Sequence, residues 1–339
     1  MSAGILCFGT FTVDQGKVID QYPAKEHLAI ISQTSKSTGG PGLNLAIDLR
    51  LLDQNIKIHV IGGIGDDDNG AYILDECDRY KIDHSDVQVF PGFTTPFTDC
   101  MVEETGGKRT FFFHPGTGDL LDSENINLEK YDLKVLHVGA VGVHRLMDAE
   151  FEGENRWIRL LRKAQALGIH TNMEMVALSP ENMKRLVTPC LPYLDSVIIN
   201  ENEAGMLTGI EYESTDLNTP LDWSKLEEMA RGLLRLGVKK FAVIHTPLGI
   251  VAADSSGKIY RQGSVTVPKE KIVSTTGAGD AVTSGVMYGV FHDWDLAQSI
   301  KAGVACAAMC IQNAHTSEGV KPIEQTLAEA EAMGFRPTV

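Results

Sequence analysis

Short apolar runs alternate with amphipathic segments along nearly the whole chain, and this rhythm constrains the fold more than any other feature. "GILCFGTFTVD", "IKIHVIGGIG", "VLHVGAVG", "IHTNMEM", "SVIINENE" and "KFAVIHT" read as strands. Between or after them lie helical patterns: "GLNLAIDLRLLD", "DDDNGAYILDECDRY", "NRWIRLLRKAQALG", "NEAGMLTG" and "WSKLEEMARGLLRLG". In the first of these, Leu45, Leu49 and Leu52 share one face. Buried strands separated by amphipathic helices imply βαβ units, and so an α/β fold on a mostly parallel sheet covered on both faces. A last helix is expected from about Ile323 to Met333.

Two stretches break the rhythm. Residues 15–36 and 88–114 show alternating residues and turn signals but no clear helix. The second contains a hairpin pattern, "TDCMVEETGGKRTFFF", turning at Gly106-Gly107. These stretches read as a small β-lid inserted into one domain that spans residues 1–339. The run "RTFFF" hints at a homodimer through that lid, although alternating lid residues could equally cover the protomer's own ligand.

The bulk properties exclude several classes. With 43% hydrophobic and 22% charged residues in 339, the chain can build a large core. A net charge of -15 argues against a nucleic-acid partner, which needs clustered Lys and Arg. Six scattered cysteines fit reduced thiols better than a disulfide framework. Cys306 and Cys310 share a helix face, but zinc would need further ligands at matching spacing, so buried thiols are the better reading. The start lacks a basic signal-peptide region, and no run reaches the roughly 18 apolar residues of a membrane helix. A cytoplasmic protein without a membrane partner is expected.

The chemistry concentrates in "STTGAGDAVTSGVMYGV", residues 274–290. Here two glycines and an aspartate stand where a loop becomes a helix, with Val282, Val286, Met287 and Val290 at helical spacing. A helix N-terminus exposes unpaired amides and the positive end of its dipole, so it attracts phosphate. Gly277 and Gly279 would let an anion approach those amides closely. A carboxylate there would repel phosphate unless it takes a proton from the hydroxyl that attacks it. Base and anion hole side by side are what phosphoryl transfer requires. The alternative is an Asp280 that merely caps the helix, and local sequence leaves both open. "GGPGLN" lacks the Lys-Ser/Thr of a Walker loop, and "GTGDLL" and "GAGDAV" lack the third glycine of a dinucleotide fingerprint.

"TTGAGDAVTSG" resembles the C-terminal signature of the ribokinase-like (PfkB-type) carbohydrate kinases. "GGPGLNLA" resembles their Gly-Gly…Asn substrate motif, "IGGIGDDDNG" their Gly-x-x-Gly-x-Asp…Gly segment, and "NENEA" their Asn-x-x-Glu magnesium motif. The segments occur in the family's order over nearly the whole chain. The resemblance implies a three-layer sandwich with a mostly parallel central sheet and a small β-sheet lid. It also implies ATP and Mg²⁺ and a sugar or sugar-like substrate. Asp280 would be the general base, with the amides of Gly277, Ala278 and Gly279 holding charge on the transferring phosphoryl group. Asp14, Gly39, Gly40 and Asn44 would bind the sugar, and Asn200 and Glu203 would organise the metal. Thr246, Gly249, Thr276, Gly277, Gly279 and Asn313 would lie near the nucleotide. Arg109 could reach an anionic substrate group, although a solvated strand arginine is the simpler reading; Asp66, Asp67 and Asp68 read as favouring the next helix's N-terminus. Thr246 replaces the family's usual first glycine. Ser274 replaces an Asp that helps hold a monovalent cation, so potassium dependence is open. A nucleoside kinase of the same family and a non-catalytic sugar- or nucleotide-binding regulator are the competing readings.

Overall fold

The computed structural model describes residues 3–105, 109–124, 126–176, 178–213, 215, 217 and 219–338. In chain order the first half contains β1 (Gly4–Gly9), β2 (Thr12–Ile19), β3 (Ile31–Gly39), α1 (Pro41–Leu52), β4 (Lys57–Gly65), α2 (Asp68–Arg79), β5 (Gln88–Phe90), β6 (Phe97–Glu103) and β7 (Arg109–His114). Next come β8 (Leu133–Val141), α3 (Arg145–Asp148), β9 (Glu150–Phe151), β10 (Glu154–Asn155), α4 (Arg156–Ala166), β11 (His170–Met175) and α5 (Pro180–Asn182). The remainder is β12 (Ser196–Asn200), α6 (Glu201–Thr208), α7 (Trp223–Arg235), β13 (Phe241–Thr246), β14 (Gly249–Asp254), β15 (Ile259–Gly263), α8 (Ala278–Phe291), α9 (Leu296–Cys310) and α10 (Ile323–Met333).

Nine strands form one sheet in the order β15-β14-β13-β12-β11-β8-β1-β4-β5. Seven of them, from β13 to β5 in that order, run parallel; β14 and β15 are antiparallel additions at one edge. β1 shows why the sheet sits in the middle. Its Ile5 and Cys7 enter one apolar cluster, with leucines of α1 and the α8–α9 pair. Leu6 and Phe8 enter the other, with Trp157, Leu161 and Leu226 of α4 and α7. Strand periodicity of two sends alternate side chains into opposite layers, giving helices on both faces. Leu45, Leu49 and Leu52 are all buried in the first cluster, as their spacing predicts.

α8 owes its small residues to α9. A Cβ on Gly285 would lie about 2.5 Å from the backbone of Ala302, so these helices meet backbone to backbone. That contact, together with Val286 and Met287, buries α8 and fixes where its first turn points.

The small sheet has the order β3-β2-β6-β7. β2 pairs antiparallel with β3 and parallel with β6, from Val13↔Phe97 to Ile19↔Glu103; β7 returns antiparallel to β6. The two stretches that break the helical rhythm therefore lie in one sheet. Its limits differ from the 15–36 and 88–114 boundaries. β2 begins at Thr12 and β3 runs to Gly39, with residues 20–30 forming the connection between them. Residues 88–90 are not in the small sheet: β5 pairs with Gly63–Gly65 of β4 and closes a βαβ unit at the edge of the large one. The turn expected at Gly106-Gly107 lies outside the described residues. No described helix is long and apolar enough to cross a membrane.

Candidate active site

The carboxyl ends of the parallel strands meet the starts of α1, α6 and α8, the place where open α/β sheets bind ligands. Gly277 is the residue before α8, with φ of 82°, and no side chain caps the helix. A Cβ there would land on the Thr316 carbonyl, so only glycine fits this left-handed position. The first-turn amides have no acceptor within the helix. Among the described residues only Ala278 finds a weak one, the Thr275 carbonyl at 3.4 Å. The capping alternative for Asp280 therefore lacks its hydrogen bond. Instead the Asp280 carboxylate accepts from Asn44 Nδ2 at 2.6 Å. Gly277→Ala should cost about 1–3 kcal/mol by strain and displace the loop. A lowered melting temperature and at least a tenfold loss of turnover are the expected readings.

Asn44 reaches Asp280 because α1 starts abruptly. Gly40 has φ of 89°, a Cβ on it would strike the Thr10 carbonyl, and Pro41 follows at the first helical position. Thr316 Oγ1, buried beside them, donates to the Thr38 carbonyl at 3.0 Å and lies 3.4 Å from Asn44 Oδ1. Across the junction, a Cβ on Gly39 would overlap the Asp14 carboxylate, so that glycine lets the acid lie flat against the chain. Asp14, Gly39, Gly40, Asn44 and Asp280 thus converge where the small sheet joins the large one.

The site is acidic. Burial pushes the Asp14 carboxyl up to about 7, with the Asp280 charge adding to the rise. Burial also lifts Glu203 to about 7, against hydrogen bonds from Asn200. Glu174 and Asp48 are raised well above the ordinary range, each by burial and then by the Asp280 charge. Asn200 and Glu203 form a capping box on α6: Glu203 N donates to Asn200 Oδ1 at 2.9 Å and Asn200 N to Glu203 Oε2 at 3.0 Å. Local helix chemistry alone accounts for this pair's spacing. Its field reaches Asp280, however, and hard carboxylate and amide oxygens suit a hydrated Mg²⁺, which takes few protein ligands. Among the described residues no three acids, cysteines or histidines form a cage for a metal, so any Mg²⁺ here would lean on water and phosphate oxygens.

The nucleotide-side expectations fare differently. Thr246 Oγ1 accepts from the amides of Leu248 and Gly249 and donates to the Gly249 carbonyl, so its hydroxyl closes the β13–β14 turn and is not presented to phosphate. Gly249 is crowded by the Gln262 carbonyl and Trp223, which explains the glycine without a ligand. Asn313 folds the loop after α9, accepting from His315 N and donating to the Glu318 carbonyl. Ser274 is buried and accepts from Thr276 N at 3.2 Å, ordering the approach to Gly277. Arg109 shares a face of the small sheet with Asp14, whose opposing charges both act on Cys100. Asp67 caps α2 through Gly70 N and also holds Thr95; Asp66 accepts from Gly92 N. Glu201 accepts from Thr215 N, a local contact.

Three residues escaped the sequence reading. Glu174 ends β11 beside Asp280, Asp48 lies one turn beyond Asn44 with Ser284 donating to it, and the His245 ring packs against Gly279. Burial pushes His245 down to about 4, so it is neutral beside the helix start.

A three-layer α/β sheet whose strand ends present a glycine-led helix start with a carboxylate in its first turn is the layout of a phosphotransferase acting on a hydroxyl. A family model described as pfkB family carbohydrate kinase matches residues 2–323, and the chain belongs to that family. It is a carbohydrate kinase. The 5-dehydro-2-deoxygluconokinase of Clostridium perfringens is 26% identical over 317 residues, covering 92% of this chain and 90% of that protein. The ribokinase of Schizosaccharomyces pombe is 25% identical over 286 residues, covering 82% and 81%. In three dimensions, Arabidopsis thaliana ribokinase complexed with ribose and ATP matches with a TM-score of 0.79 at 16% identity, covering 98% of this chain and 99% of that one.

Proposed function

We propose that this kinase phosphorylates a hydroxyl of a sugar or sugar-like molecule, with Asp280 as general base. The observation that carries the reading is the state of Asp280: it sits in the first turn of an uncapped, glycine-led helix, held by Asn44 instead of capping the helix itself. Asp280 takes the proton from the attacked hydroxyl while the amides of Gly277, Ala278 and Gly279 hold charge on the phosphoryl group in flight, with Thr276 flanking them. Asp14 and Asn44 orient the sugar, Gly39 and Gly40 give it room, and Arg109 lies farther out on the same lid face. ATP supplies the phosphoryl group when bound, and no phospho-enzyme is needed.

ATP turnover on a mixed panel of sugars, polyols and nucleosides tests this reading. Sugar-stimulated ADP release is expected; nucleosides alone as acceptors would favour the nucleoside-kinase alternative, and binding without turnover a regulator. Asn200 and Glu203 would organise the hydrated Mg²⁺. Glu203→Gln should therefore raise the magnesium needed for half-maximal rate several-fold, with sugar KM nearly intact. Unchanged magnesium dependence removes Glu203 from that role. Phe111, Phe112 and Phe113, all exposed on β7, support a homodimer through the small sheet, to be read by sedimentation. Six free cysteines support a reducing, cytoplasmic setting.

A further inference from the structure

The last residue but one of β13 faces the start of α8. Side chains alternate along this strand: Ala242 and Ile244 enter the cluster that holds Leu226 and Met229 of α7, and Val243 enters the one that holds Val282 and Val286 of α8. The same alternation sends His245 to the α8 side, whereas Thr246 turns away and closes the β13–β14 turn. The Cε1–Nε2 edge of the His245 ring lies against Gly279, in the first turn of α8.

His245 differs from the other histidines of this region in having nothing to hold it. His137, His144 and His170 each hydrogen-bond a neighbour. The His245 ring is half-buried, and among the described residues neither of its nitrogens makes a hydrogen bond. With neither nitrogen committed the tautomer is free, so Nε2 can carry a proton.

Gly279 keeps that nitrogen uncovered. Gly277 is glycine for its φ and Gly285 for the contact with α9, but Gly279 has neither reason. Its backbone is helical, and alanine is the better residue in a helix. Beyond its own helix, a Cβ there would meet His245 alone, Cε1 at 3.4 Å and Nε2 at 3.5 Å, both ordinary contact distances. A methyl would fit, and it would cover the imidazole edge. Its absence leaves Nε2 open beside the unpaired amides of the first turn.

We propose that His245 is a catalytic residue for phosphoryl transfer, its Nε2–H donating to a non-bridging oxygen of the phosphoryl group in flight. The α8 amides hold that group from the helix, and His245 holds it from the sheet. His245 moves no proton. A donor placed where charge grows in the transition state raises kcat without tightening ground-state binding. The inference rests on the reading of the α8 start as the phosphoryl site.

His245→Gln keeps an N–H near the place of Nε2, whereas His245→Met fills the space without one. With the sugar that the substrate panel selects, the Met variant should lose about 10²-fold in kcat, with KM for ATP and sugar within about threefold of wild type. The Gln variant should regain at least about tenfold of that loss. A second reading uses ADP, Mg²⁺, that sugar and aluminium fluoride, which mimics the transferring group. The Met variant should bind this mixture about 10²-fold more weakly and ADP alone as the wild type does. Near-normal turnover by His245→Met, equal losses in the Gln and Met variants, or an unchanged preference for aluminium fluoride over ADP alone would overturn the proposal. A ring that only packs against α8 predicts that last result, with lowered melting temperatures in both variants. An inactive Asp280→Asn beside a normal His245→Met enzyme removes His245 alone. If both variants turn over normally, the phosphoryl site is not at α8, and the proposed function falls with it.

Discussion

Asp280→Asn should lower kcat by about 10²–10⁴-fold, the usual weight of a general base. The substitution keeps the size of the side chain and an oxygen that can still accept from Asn44. What it removes is the proton acceptor. Affinity for ATP should stay level or rise, because a negative charge beside the phosphoryl site has gone. The fold should barely notice. Asp280 makes no capping bond, so the structural loss is its attraction to the helix dipole, worth about 0.3–1 kcal/mol, or roughly 1–3 °C in melting temperature. Kinetics, nucleotide binding and a melt on this one variant check all three numbers. Near-normal turnover in a well-folded Asp280→Asn protein would sink the catalytic assignment.

The sequence made the architecture legible because each layer leaves a local signature. Ile5, Leu6, Cys7 and Phe8 announce a strand buried on both faces, and Leu45, Leu49 and Leu52 a helix with one buried side. Gly40 and Gly277 stand out in the sequence as room for a ligand, but neither their positive φ nor the glycines that yield to a neighbour can be read there. Nothing local says that Gly249 is small because of Trp223, or Gly39 because of Asp14. β5 was misplaced because three residues carry too little periodicity to say which sheet they join. Thr246 was assigned to a ligand because hydroxyls in turns and hydroxyls on phosphates look alike until the turn closes. Glu174 left no signal at all. It joins the acidic cluster only because α8 brings Asp280 near it, and such encounters exist only after folding.

Asp14 is expected to trade stability for substrate, and the sign of that trade can be worked out. Its pKa is raised to about 7, chiefly by burial. A carboxyl raised on folding contributes stability that is full below its unfolded value, near 3.9, and lost as pH rises through about 7. The free enzyme should therefore melt progressively lower between about pH 4 and pH 7 and level off above, with Glu203 adding to the same slope. Asp14→Asn should flatten that slope and raise the melting temperature at pH 8 by a few degrees. Sugar binding should move the other way. An ionised Asp14 can accept two hydroxyl hydrogen bonds, each charge-assisted and worth about 1.5–3 kcal/mol, and asparagine replaces them with weaker ones. Sugar KM should rise about 10- to 100-fold while KM for ATP holds. In the wild type, kcat/KM for the sugar should climb as pH passes through about 7, because only then is the carboxylate free to accept. Melting curves across about pH 4–8 and sugar kinetics across the same range decide it. A destabilised Asp14→Asn protein at pH 8, or one with unchanged sugar KM, would show that Asp14 holds the fold and not the substrate.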